Sequence, residues 1–170
     1  MPKEQEAKAL MDLLDAITDK LAMECTIEQK IYPAAIFHAQ QMTEKAAKAC
    51  LALRNNPLTG HEYMHLFRQE IIPVSGELEK DFLKLFDIMV TLQGLCSPSR
   101  YSVSASRTRY RRYPEKDVLM FCRSADQFFK LCYDFIEIKT GLTLPKDKEE
   151  LTNFILKEYG EAYIDIIDLL

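Results

Sequence analysis

Apolar and small residues recur along most of the chain at steps of three and four, the spacing that gathers them on one face of an α-helix. The clearest run is PAAIFHAQQMTEKAAKACLALR, residues 33–54, in which Ala35, Ala39, Met42, Ala46, Ala49 and Leu53 form an unbroken seam. Alanine fills four of these six positions, so neighbouring helices can approach closely, and at least two are expected to pack on this one. A first helix is predicted from Lys3 to Met23 on Ala7, Leu10, Leu14, Ile17 and Leu21, with Lys8, Asp12, Asp15 and Asp19 on other faces. Thr26 and Gln29 have capping-box spacing, but a helix opened there meets Pro33 in its interior. The second helix is therefore placed from near Tyr32, with Pro33 in its first turn, where a missing N–H costs nothing.

Asn55, Asn56 and Pro57 end that helix. Thr59 with Glu62 repeats the capping-box signature and opens a short helix to about Ile71, closed by Pro73. Ser75 is expected to cap a longer helix with the seam Leu78, Phe82, Leu85, Met89, Leu92 and Cys96, stopping at Ser97-Pro98. The next begins at Pro114 with Glu115 and Asp117 in its dipole-favoured first turn. Its seam is Val118, Phe121, Ala125, Phe128, Cys132 and Phe135, and Gly141 is its expected C-cap. A last amphipathic stretch from Lys146 to the end carries Leu151, Phe154, Ile155, Ala162, Ile166 and Leu169. Its final residues, Tyr-Ile-Asp-Ile-Ile-Asp-Leu-Leu, are too apolar for a free tail and must cover either the bundle or a second subunit. The pattern predicts an all-α fold over residues 1–170: an up-and-down bundle of four long helices, a short inserted helix and an appended C-terminal helix.

Composition narrows the class without naming a function. With 28% charged and 48% hydrophobic residues, five glycines and seven prolines, the chain suits a soluble globular protein with one core. No apolar run reaches the roughly 18 residues of a membrane span, and no basic stretch followed by an apolar run opens the chain, which points to the cytoplasm. Cys25, Cys50, Cys96, Cys122 and Cys132 are odd in number, form no Cys-x-x-Cys pair, and read as reduced thiols. His61 and His65 lie four apart with Glu62 after the first, which is the order of a zinc-protease helix, but this spacing alone is weak evidence for a ligand set, and no metal and no cofactor are expected. Gly-rich phosphate loops, Gly-x-Ser-x-Gly elbows and paired Glu-x-x-His helices are all missing from the sequence.

Charge does single out one stretch. Five of the eight arginines, Arg100, Arg107, Arg109, Arg111 and Arg112, lie in SPSRYSVSASRTRYRRY, residues 97–113, and no acidic residue occurs between positions 88 and 114. The chain as a whole stands at −4, so the rest of it without these arginines stands at −9. An arginine fork binds phosphate oxygens through two parallel hydrogen bonds and stacks on bases. Tyr101, Tyr110 and Tyr113 are interleaved with the arginines and offer stacking partners to a nucleotide or single-stranded RNA. The plainer reading is a solvated loop, or arginines paired with acids of the bundle or of an adaptor's partner. A second polar line, His38, Gln41, Lys45 and Lys48, reads as the solvated side of the second helix and as the next surface for a ligand.

Several of these stretches together resemble the HEPN-domain family. A phenylalanine followed by His38, Ala39, Gln40 and Gln41, then Glu44, Lys45, Ala46 and Lys48, is similar to that family's second helix. Thr59-Gly60-His61-Glu62-Tyr63 resembles its Thr-His-Asp-Leu turn, and Arg112-Tyr113-Pro114 its Arg-Tyr-Pro ahead of the last helix. The resemblance covers residues 3–140 and leaves 141–170 outside it. It implies a nucleotide- or RNA-binding helical domain, a homodimer, and service as a non-catalytic partner of a small nucleotidyltransferase. It also implies a rival, a metal-independent endoribonuclease of toxin–antitoxin type, in which Arg54 and His61 would supply the family's arginine–gap–histidine pair. Histidine would then move a proton at the ribose 2′-OH, and arginine would stabilise the phosphorane charge. Against the rival, the family's catalytic pair lies just before the last bundle helix, where this chain has arginines and no histidine.

Overall fold

The structure, a computed structural model, describes residues 3–55, 62–101 and 113–160, with the side chains of residues 96–101 excepted. Among these residues there are six α-helices and no strand: α1 (Lys3–Glu28), α2 (Tyr32–Ala52), α3 (Tyr63–Glu70), α4 (Glu79–Tyr101), α5 (Glu115–Thr140) and α6 (Lys148–Tyr159). The all-α bundle expected from the periodicity is what forms. The helix α2 sits at its centre, touching α1, α3, α4 and α5, while α6 lies against α1. All six seam positions of α2 are buried, the four alanines among them with no exposed surface. Small side chains there let three long helices share one axis as their packing surface.

The helix α1 runs five residues beyond its predicted end. Thr26 sits in its last turn with its hydroxyl donating to the carbonyls of Ala22 and Met23 at 2.8 and 2.9 Å. Closure is a Schellman pair: Ile31 N–H donates to Thr26 O and Lys30 N–H to Ile27 O, with Lys30 in the left-handed region at φ 58°. Lysine in place of glycine hides this stop from sequence reading. Leu21, expected in the seam, is 51% exposed, and Leu13 and Ala16 take the core instead.

The helix α3 opens without a side-chain cap from Glu62, and its first turn is satisfied by Gln93 of α4, whose Oε1 accepts from Met64 N–H at 3.0 Å. Thr59, the predicted cap, lies outside the described residues. Ser75 does not cap α4 either: its Oγ donates back to Ile72 O at 2.7 Å, inside two short 3₁₀ turns that precede Glu79. The helix α4 also passes Ser97-Pro98, its predicted stop, and runs to Tyr101, although a proline there gives up the hydrogen bond to the carbonyl of residue 94. Between these helices Phe67, Phe82 and Phe128 pack edge-to-face or tilted, with ring centroids 5.1–5.8 Å apart.

The helix α5 buries its whole predicted seam and ends on Gly141 at φ 70°, as expected; Pro114 is its N-cap rather than its first helical residue. The helix α6 is capped by Asp147, whose Oδ1 accepts from the N–H groups of Glu149 and Glu150 at 2.9 and 3.1 Å. It buries Leu151 and Ile155, and stops at Gly160 (φ 79°). Residues 161–170, with Ala162, Ile166 and Leu169 of the predicted final helix, lie outside the described residues. Cys50, Cys122 and Cys132 are buried free thiols, and burial pushes Cys122 up to about 11; Cys25 is exposed. No described helix is long and apolar enough to cross a membrane.

Candidate functional site

The arginine-rich connection joins the end of α4 to the start of α5, and the structure describes its two posts. On one side α4 carries the backbone of Arg100 into its last turn. On the other, Tyr113 is half-buried and packs against the hydrophobic core, followed by Pro114 in an extended conformation (ψ 135°). The ring of Tyr113 thus has a structural contact of its own. Arg107, Arg109, Tyr110, Arg111 and Arg112 lie outside the described residues, as does the side chain of Arg100. The amino end of α2 lies close by: the Cys122 thiol of α5 approaches Ala35 O at 4.0 Å, and Tyr32 hydrogen-bonds Glu115.

Arg54 stands exposed just past the other end of α2, about 30 Å away at 1.5 Å per helical residue. His61 lies outside the described residues. The start of α3, two residues after it, is tied to the middle of α2, where the Tyr63 hydroxyl meets Thr43 Oγ1 at 2.9 Å. Described contacts do not bring Arg54 together with any histidine.

The line His38, Gln41, Lys45 and Lys48 is partly buried: His38 and Lys45 turn to Asp19 of α1, while Gln41 and Lys48 pair with Gln40 and Glu44 of α2 itself. His38 Nδ1 lies 2.9 Å from Asp19 Oδ1, and Lys45 Nζ 2.8 Å from Asp19 Oδ2. Lys48 Nζ lies 2.8 Å from Glu44 Oε1, while Gln40 Nε2 donates to Glu44 Oε2 at 2.9 Å and Gln41 Nε2 to Gln40 Oε1 at 2.6 Å. Asp19 and Glu44 are buried, contrary to the sequence expectation that carboxylates sit on solvent-facing positions. Burial is also the main cause that raises Asp12, to about 6, and Asp15, with Lys8 and Lys45 respectively opposing it.

Chemically the two lysines of this seam are already matched to carboxylates of the same chain. An incoming phosphate would have to displace Asp19 or Glu44 and leave a buried carboxylate without its donor, which is costly. The contacts of His38 and Lys45 with Asp19 therefore strap α1 to α2 rather than leaving an open anion site. Sequence reading missed Asp19 and Glu44 as buried acids, although the i,i+4 spacing of Gln40, Glu44 and Lys48 is a signal for the second.

Compared with known families, residues 13–139 match the model of the HEPN domain. The match stops at the end of α5 and leaves α6 outside, as the resemblance did. The chain matches no curated protein and no solved structure.

Proposed function

Because the chain belongs to the HEPN-domain family, whose members are generally nucleotide- or RNA-related, we propose that it binds nucleotide or single-stranded RNA through its arginine-rich connection. In this reading Arg100, Arg107, Arg109, Arg111 and Arg112 hold phosphates and Tyr110 stacks on a base. The observation that carries it is the segregation of charge. Five arginines fall in one acid-free stretch of an otherwise acidic chain, while the lysines of the alternative surface, Lys45 and Lys48, are matched to Asp19 and Glu44. The protein then acts as a non-catalytic, substrate-binding partner of a small nucleotidyltransferase. Its own assembly is a homodimer, for which Leu83 and Val90, seven apart and exposed on α4, supply apolar surface. A stable C2 interface needs about 1,200 Å².

Isolation from the native host with mass analysis of bound protein, RNA and nucleotide tests the reading: a nucleotidyltransferase with RNA or nucleotide is expected, and neither appearing contradicts it. Tyr110→Ala should weaken RNA binding by about 1–3 kcal/mol with little change in salt dependence. The ribonuclease reading keeps one structural support, the exposure of Arg54 where the connection bearing His61 begins.

A further inference from the structure

Two of the buried thiols meet across the packing surface between α2 and α5. Cys50 lies in the last turn of α2 and Cys132 in the seam of α5, and neither has any exposed surface. The Cys50 Sγ donates to the carbonyl oxygen of Cys132 at 3.7 Å, and the two thiols stand within hydrogen-bonding reach of each other. They are 82 positions apart in the chain, so the encounter is made by the packing of the two helices and not by local sequence. Ala46, Ala47 and Ala49, also without exposed surface, keep the side chains of α2 small beside Cys50, which permits close approach of a neighbouring helix. Cys122, buried one helical stretch earlier in α5, differs: its described contact is the Ala35 carbonyl at 4.0 Å, and burial alone raises it.

We propose that Cys50 and Cys132 are a redox-sensitive staple, reduced at rest and closed by hydrogen peroxide into a disulfide that joins α2 to α5. A disulfide needs its two side chains aimed at each other at short range, and these already touch. The overall balance is two thiols and one peroxide giving one disulfide and two waters. Burial, with the neighbouring Cys50 thiol adding to it, holds the Cys132 thiol protonated well above the usual cysteine range, so Cys50 reacts first. Its thiolate attacks one peroxide oxygen, the O–O bond breaks, and the other oxygen takes up a proton and leaves as water, giving a sulfenic acid. The Cys132 sulfur then attacks the sulfenic sulfur; the S–S bond forms, the S–O bond breaks, and the hydroxyl leaves with the Cys132 proton as the second water. Because neither thiol is exposed, peroxide enters through local opening, and the pair records sustained rather than brief oxidation. The bond closes a loop that contains α3, α4 and the arginine-rich connection, so it restrains the unfolded chain over that whole span.

The test treats the reduced, folded full chain with hydrogen peroxide and maps its peptides by mass spectrometry without reductant. A Cys50–Cys132 linked peptide is expected, lighter by two hydrogens than its two parts and reversed by dithiothreitol, while Cys122 stays a thiol. Dimedone trapping of a sulfenic acid on Cys25, which is exposed, shows that the oxidant has acted. The urea midpoint of the treated chain should fall when dithiothreitol opens the bond, and treated Cys50→Ala should show no such fall. Oxidised Cys25 beside unlinked Cys50 and Cys132 in the folded chain would overturn the proposal. So would linkage that appears only in urea, linkage of Cys50 to Cys122 as readily as to Cys132, or a midpoint that opening the bond leaves unmoved.

Discussion

Lys45→Met isolates the charge that Lys45 brings to Asp19, since methionine keeps most of the aliphatic stem that packs beside it. The Asp19 side chain is 11% exposed and that of Lys45 31%, with Nζ 2.8 Å from Oδ2. A fully exposed pair contributes about 0.2–1 kcal/mol, and removing one partner of a fully buried pair costs roughly 3–5 kcal/mol. This pair lies between those limits, and His38 remains on the other Asp19 oxygen. The expected loss is therefore about 1–3 kcal/mol. For a chain of this length that lowers Tm by roughly 2–12 °C. Urea unfolding followed by circular dichroism measures it. Adding Asp19→Asn should restore part of the loss, giving a coupling of about 0.5–3 kcal/mol in the double-mutant cycle. RNA binding by folded Lys45→Met should match the parent. A cost below about 0.5 kcal/mol, strictly additive mutations, or lost RNA binding in a folded variant would each refute the assignment of this seam to structure.

Three further outcomes are expected. Ala46 has no exposed surface at the point where α2 meets its neighbours, so Ala46→Leu should cost about 1–3 kcal/mol by forcing those helices apart, read from the urea midpoint. Asp12 is raised to about 6 by burial, so the native state holds its proton more tightly than the unfolded chain, and stability should fall as pH rises from about 4 to 6. Asp12→Asn should remove that slope and raise stability at pH 7 by on the order of 1–3 kcal/mol; equal slopes in parent and variant would contradict the shift. Expression of the chain alone should neither cleave cellular RNA nor slow growth, and toxicity relieved by His61→Ala would favour the ribonuclease reading.

The helical seams were legible in the sequence because periodicity records which face of a helix is buried, and α2 and α5 each bury every predicted seam position. Periodicity does not say what covers a face. Leu21 keeps the seam spacing yet lines a groove, and Asp19 and Glu44 keep a polar pattern yet are buried. Helix ends were less legible because they depend on backbone angles and distant donors. The left-handed Lys30 and the capping of α3 by Gln93 carry no local signature, whereas Asp147 stands in an ordinary capping position, one residue inside the predicted start at Lys146. The arginine connection was visible for the opposite reason: charge segregation is a property of the sequence itself.

The central claim rests on those arginines, and the salt dependence of RNA binding tests it most directly. Affinity for a single-stranded RNA should fall steeply as salt rises, and Arg109, Arg111 and Arg112 replaced together by alanine should weaken it. The slope of log affinity against log salt should flatten by up to about two, at roughly 0.7 per lost phosphate contact. Absence of binding to RNA or a polyphosphate nucleotide at low salt, or an unchanged slope in the triple variant, would contradict the account.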